Sequence, residues 1–471
     1  MIAAGALGIA VVLGAGLLYR FFASPEAPDE RDPALSASAV ASVAPPVVER
    51  CEALPASDFV IGDPPKAADT DADAGEEPLD APFAAVLGRA IATPRGFAVP
   101  VLGDGENGSV MSVVELDPGG AGVTTRLSRS RGDLEPPVLF ADGPKVLGAA
   151  IEPDASGLAL KLFTIDGGHL TWGAELEQPK DESLATDVAA SGERGIVVWD
   201  AVKDDTSRIV MASFKRSDVG TTTTPRVITD PSVDAEAPRL VPRTGGYFLL
   251  YRVRGAPLPE TGGDSTPTKK KGSSSSGDDD EIDESRGEKG FASWVEALRL
   301  DENGSPQGDA EVLTPREGRV TGFDVTAASD AFALAWRDED GPTGSVGGDV
   351  HVMRVTTAGP LPVSTLRERG EGGAAAFGSP APPSAGVPIL LGRWIAVPTL
   401  RGQSLLASLD GAGNPVERMK PEPAFAFGEP IAQRTVFDGP ANAANPADVL
   451  LVAEPRGRAV SLHLLKCVPP R

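Results

Sequence analysis

The residues able to do chemistry are few and scattered. His169, His351 and His463 lie far apart, and with only two cysteines they exclude a Cys/His-rich metal domain. Asp69, Asp71 and Asp73, followed by Gly75, alternate as the oxygen ligands of a calcium loop do. The glycine stands one place late for an EF-hand and Asp80 replaces the closing Glu, so the segment reads as a Ca²⁺ site or as a solvated acidic linker. Trp199, Tyr251 and Trp336 end three comparable apolar segments and are followed by Asp200, Arg252 and Arg337. Such aromatics either stack on a sugar or peptide as a platform or fill the wedge between packed layers. No GxSxG, Walker loop or HExxH is present, and no GxGxxG lies at a strand–helix junction, so no catalytic residue is assigned. A Ser/His/Asp set assembled from distant segments is allowed, but nothing in the sequence selects one.

Composition narrows the partners. The chain has 471 residues, 43 Lys and Arg against 67 Asp and Glu, and a net charge of −24. Binding nucleic acid needs clustered cations against phosphate, and that class is excluded as a partner. The 54 Gly and 44 Pro make the chain rich in turns without marking it as disordered throughout.

Ile2 to Tyr19 is an uncharged, mostly apolar run of 18 residues, just long enough as a helix for a bilayer of roughly 30 Å. No basic stretch precedes it and Arg20 follows it, a pattern that favours an uncleaved anchor over a cleaved signal. We therefore expect a membrane segment over residues 1–22, then an Ala/Pro/Ser-rich disordered tether over 23–46, and a location on the periplasmic or extracellular face.

The remainder repeats. Apolar alternating segments end at turns near Asp117, Asp166, Lys215, Asp301, Thr356, Asp410 and Cys467, at intervals of 49, 49, 86, 55, 54 and 57. The long interval contains a low-complexity insert, 256–290, with KKK, SSSS and DDDEIDE; removing its 35 residues restores a period near fifty. The insert reads as a solvated polyampholyte that could also recruit a partner. Each unit holds four short alternating segments, as in TDVAAS, GIVVWDA, SRIVMASF and TTTPRVIT of the third. Four-stranded antiparallel repeats of this length predict a seven-bladed β-propeller over 47–468, all-β, with the insert between the second and third strands of blade four.

The last unit ends too soon for a fourth strand, whereas Pro45 to Leu54 alternates suitably and echoes NPVERMKP of unit six. We expect the N-terminal segment to complete the last blade in a three-plus-one closure that removes the open edge. The two cysteines, Cys51 and Cys467, fall on these two segments, and a disulfide between them would staple the closure. Closing a loop of about 400 residues is worth about 4 or 5 kcal/mol by chain entropy, and such a bond requires an oxidising compartment.

TIDGGHLTW, with Thr164, Asp166 and Gly168 in place and Trp172 one residue late, resembles the Asp-box turn of sialidase-like propellers. In those families the box is a structural turn, so the resemblance implies fold alone. In repeat period and N-terminal run the chain also resembles membrane-anchored envelope propellers of high-GC bacteria, again a likeness of architecture. The expected function is a non-catalytic cell-envelope scaffold presenting a ring face or the blade-four insert to an envelope protein. Carbohydrate binding, or hydrolysis of a glycan or peptide at the ring axis, are the alternatives. No cofactor beyond the Ca²⁺ option is expected.

Overall fold

The computed structural model describes residues 50–54, 57–60, 86–105, 108–129, 135–154, 157–178, 184–203, 206–257, 291–328, 331–338, 350–366, 387–398, 404–410, 413–414, 416, 420–421, 429–436, 447–456 and 459–468. The expected anchor, the tether, the Asp69–Asp73 motif and all of the insert after Pro257 lie outside them. Among the described residues there is no helix long and apolar enough to cross a membrane.

Seven antiparallel sheets follow one another along the chain. The protein is a seven-bladed β-propeller. Blade 2 shows the unit plainly, with strands Val138–Asp142, Lys145–Asp154, Gly157–Asp166 and His169–Glu177 paired in sequence order from the axis outward. Blade 3 runs Thr186–Ser191, Arg194–Lys203 and Thr206–Lys215, with an outer strand in two pieces, Asp218–Thr222 and Arg226–Val227. In blade 4, Asp234–Arg243, Gly246–Pro257, Phe291–Leu300 and Glu311–Val312 pair in order, so the insert does join the second and third strands. The second strand continues through Pro257 and so takes in the first two residues of the expected insert, Ala256 and Pro257, because Pro257 still pairs with Phe291.

The second and third strands of each blade are buried on both faces, which is why they read as nearly continuous apolar runs rather than strict alternations. Ile196, Val197, Val198 and Trp199 are all buried, two side chains facing each neighbouring sheet. Six apolar clusters carry this packing round the ring. One joins blades 1, 2 and 3, and others join 3 to 4, 4 to 5, 5 to 6 and 6 to 7. The last places Phe97, Val99 and Val114 of blade 1 against Leu451, Leu462 and Leu464 of blade 7. Polar locks reinforce the seams: the Tyr247 hydroxyl of blade 4 donates to the Arg194 carbonyl of blade 3 at 2.9 Å and accepts from Ser191 N at 3.0 Å. Burial pushes that phenol up to about 12.

Three of the seven turns that mark the sequence period share a geometry. In blades 1, 4 and 6 the Oδ1 atoms of Asp117, Asp301 and Asp410 accept the backbone N–H four residues on, at 2.9, 2.8 and 2.8 Å. Gly120, Gly304 and Gly413 sit three residues after these acids at φ of 85°, 77° and 85°, a left-handed conformation that other side chains resist. The Asp166 turn is tighter, with Gly167 and Gly168 both at positive φ between His169 and Asp166. There the carboxylate pairs with Lys145 Nζ at 3.1 Å.

Blade 7 is built from Glu429–Val436, Ala447–Arg456 and Ala459–Val468. Its outer strand comes from the other end of the chain in two pieces, Arg50–Ala53 and Ser57–Val60, both paired with Ala459–Val468. Cys51 stands opposite Cys467 in that ladder, and their sulfurs are bonded across a sequence separation of 416. The second piece, around Phe59, is one the sequence pattern did not single out. Asp58 accepts from the Ser461 hydroxyl there, and Phe59 packs into the cluster shared by blades 7 and 1.

Cys51→Ser should therefore loosen both pieces of the borrowed strand. We expect a loss of about 3–5 kcal/mol, read as a lower urea midpoint and matched by the wild-type chain in reductant. Equal midpoints with and without reductant would show that strand pairing alone carries the closure.

Candidate functional site

The inner strands leave the ring axis hollow. A cavity of about 710 Å³ runs down it, lined by inner-strand residues of six blades. Small side chains keep it open at one end, where Ala92, Ala141, Ala189 and Ala327 face inward. At the other end, where the inner strands begin, two further hollows of about 210 and 370 Å³ open around the axis.

Charged side chains form a collar between the deep cavity and these hollows. Arg89, Asp187, Arg239 and Asp324 hold one register, each four residues before the last paired residue of its inner strand: Thr93, Ser191, Arg243 and Ala328. The collar was present in the sequence as RAIAT, DVAAS, RLVPR and DVTAA, each opening on a charge before a hairpin. A search for known catalytic motifs passes over it, because its members repeat at blade spacing and not at motif spacing.

The collar's acids are occupied by the fold. Asp324 Oδ2 accepts from Leu390 N of blade 6 at 2.8 Å, and Oδ1 pairs with Arg89 Nη1 of blade 1 at 3.1 Å. Arg89 also donates to the Val325 carbonyl, so one guanidinium ties blades 1 and 5 across the axis. Its placement relies on Gly88, since a Cβ there would lie 2.8 Å from Pro136 Cβ and 2.9 Å from Pro100 Cγ. Asp187 accepts from Leu240 N of blade 4 at 2.7 Å and from Val188 N at 2.9 Å. Burial pushes its carboxyl above the ordinary value, opposed by the Arg239 and Arg89 charges and by the two backbone N–H groups.

Trp199, Tyr251 and Trp336 do occupy equivalent places, each the sixth residue of its second strand. They are mid-strand, not terminal, and only 0%, 3% and 2% exposed. Their faces lie in the seams between blades, so the platform reading is corrected: no aromatic plane is offered to a ligand. Their ring donors are also used internally, with Trp199 Nε1 donating to Glu177 and the Tyr251 hydroxyl to Glu296 Oε2 at 3.2 Å.

Two of the polar residues that follow them reach the collar face. Asp200 accepts Ala185 N at 3.0 Å and Ala237 N of blade 4 at 3.2 Å. Arg252 pairs with Glu236 Oε1 at 2.8 Å, donates to the Thr321 carbonyl of blade 5 at 2.8 Å and lines the 370 Å³ hollow.

The three histidines stay apart, on blades 2, 5 and 7. His351 Nδ1 lies 3.1 Å from Thr365 Oγ1 and Nε2 lies 3.5 Å from Asp338 Oδ2, with the ring stacked on Trp336 at 5.1 Å. These are cross-strand neighbours within blade 5 and line none of the axial hollows. No group of His, Cys, Asp or Glu able to hold a metal ion occurs among the described residues.

No protein-family model matches the chain, and no curated protein does. Solved structures similar to it include the polysaccharide lyase Uly1, at 10% identity and a TM-score of 0.45, covering 78% of this chain and 88% of that one. The β-propeller domain of the Trilobed protease from Pyrococcus furiosus is 9% identical with a TM-score of 0.41, over 81% and 95%. An α-L-arabinofuranosidase from Fusarium graminearum is 11% identical with a TM-score of 0.40, over 80% and 92%. No residue role is carried over from them.

Trp199→Ala should cost about 3–5 kcal/mol in unfolding free energy, as removal of a buried aromatic does. A variant as stable as wild type would contradict the seam assignment. The raised carboxyl of Asp187 has a second consequence. Above the ordinary carboxylate pKa near 4, the folded chain keeps a proton that the unfolded chain gives up, so this group's contribution falls as pH rises. Asp187→Asn should flatten that fall in urea midpoints measured from about pH 4 to about pH 7. An unchanged slope would mean that Asp187 is ionised throughout.

Proposed function

We propose that the chain is a non-catalytic binding propeller of the cell envelope that takes a glycan at the collar end of its axis. The observation behind this reading is the collar itself: concave hollows framed by arginines, with the nearby carboxylates already engaged. Hydrolysis of a glycosidic bond needs two carboxyl groups free to exchange protons or attack the sugar. Asp187 and Asp324 instead spend both oxygens on backbone N–H groups and Arg89. Hollows of about 370 and 710 Å³ fall in the range that small ligands and chain ends occupy, and are narrow for a folded protein partner. The disulfide supports an oxidising compartment, in keeping with the apolar N-terminal run.

Scaffolding of an envelope protein through the 256–290 insert is the second reading, motivated by its opposed charge blocks. The two separate in one comparison. A glycan-array signal that disappears in Val387→Trp, which fills the 370 Å³ hollow at the collar end, and survives deletion of 258–290 supports the axial site. In-cell crosslinking that captures one envelope protein only when the insert is present, with a silent array, would replace it by the scaffold.

A further inference from the structure

One cation at the collar forms no ion pair among the described residues, although its charge acts on the nearby Asp187. Arg89 is held by Asp324 and the Val325 carbonyl, and Arg252 by Glu236 and the Thr321 carbonyl. Arg239 lines the same 370 Å³ hollow beside both of them. It donates Nη1 only to the adjacent Pro238 carbonyl, at 2.9 Å, and forms no ion pair among the described residues. A half-buried guanidinium keeps most of its donors and a full charge, in a chain whose net charge is −24.

The backbone beneath it is built to present it. The ladder between the first two strands of blade 4 slips between Glu236 and Arg239. Within the slip, Ala237 stands at φ 52°, the one non-glycine residue with positive φ among the described residues. A left-handed alanine is strained and persists only where its surroundings over-determine it. Here Asp200, from blade 3, accepts the Ala237 N–H and holds the bulge in place. Unbulged, the strand would carry Arg239 at another register and away from Arg89 and Asp187.

We propose that Arg239 anchors a carboxylate of the ligand, so that the glycan taken at the axis is an acidic one of the uronate type. Asp200 is its positioning residue. This inference rests on the axial-site reading above. A planar guanidinium and a carboxylate match as a bidentate pair. The neighbouring Asp324 charge disfavours a dianion such as phosphate more than a single carboxylate. One negative charge among many hydroxyls is what a uronate residue offers.

Isothermal titration of the full chain with trigalacturonate, its carboxyl-reduced counterpart and inorganic phosphate tests the assignment. Wild type should bind trigalacturonate with an affinity that falls as salt rises, and bind the reduced trisaccharide at least tenfold more weakly. Arg239→Gln should lose at least tenfold for trigalacturonate and most of the salt dependence, while Lys145→Gln, at the far end of blade 2, changes neither. Asp200→Asn should weaken trigalacturonate and leave the reduced form unchanged, a selectivity that general loss of structure does not give. Equal binding of the two trisaccharides, or full affinity in Arg239→Gln, overturns the carboxylate anchor. If that binding is still abolished by Val387→Trp, which fills the same hollow, the axial site itself stands. Binding of phosphate in preference to trigalacturonate overturns the uronate assignment, and binding of none of the three overturns both.

Discussion

A β-sheet has two edges, and a ring of radially arranged sheets stays a ring only if its first and last members are joined. Here the joint is the ladder between the strands around Cys51 and Phe59 and the strand Ala459–Val468, sealed by one covalent bond. The circle depends on it. The clusters that link blade to blade are apolar and non-directional, and would hold an open arc nearly as well as a circle. Only the closure fixes the diameter, and with it the width of the hollow at the centre.

At that centre a different chemistry takes over. Inner strands cannot all bring large side chains to a shared axis, so alanines lie at one end and a collar of ionic and backbone bonds ties the blades at the other. Arg89 reaches across the axis and the acids reach to the next blade, each contributing to rigidity where apolar packing is thin. The collar's acids are engaged by backbone N–H groups and Arg89, while Arg239 stands outside any ion pair among the described residues.

Much of this was legible in the sequence for a definite reason: the aspartate turns that bound the third strands are local devices, readable from a few residues. Asp117, Asp301 and Asp410 collect backbone N–H groups within five residues of themselves, and they are three of the seven turns whose recurrence gave the period, the blade count and the position of the insert. The disulfide was legible because only two cysteines exist and both fall on the joint. The collar was not. Its members interact across blades, Arg89 with Asp324 at a separation of more than two hundred residues, and no local pattern announces such a contact. The equivalence of Trp199, Tyr251 and Trp336 was legible too, but their burial depended on which sheet faces they join. The left-handed Ala237 has no compositional sign, since the residue that sustains it is Asp200 of the neighbouring blade.

The split strand that closes blade 7 also dictates an order of events. Its two pieces precede the other six blades along the chain, and their partner, ending at Val468, follows them. While the chain is being synthesised, the two pieces 50–53 and 57–60 must wait for their partner until the six blades between have emerged. Six blades can assemble from local hairpins in that interval, each contact spanning only tens of residues. The seventh is a long-range event that comes once, at the end, and the thiols of Cys51 and Cys467 meet only then. Bond formation in this protein is thus a record of completed folding: a chain interrupted before its last strand has no partner for Cys51 and carries a free thiol.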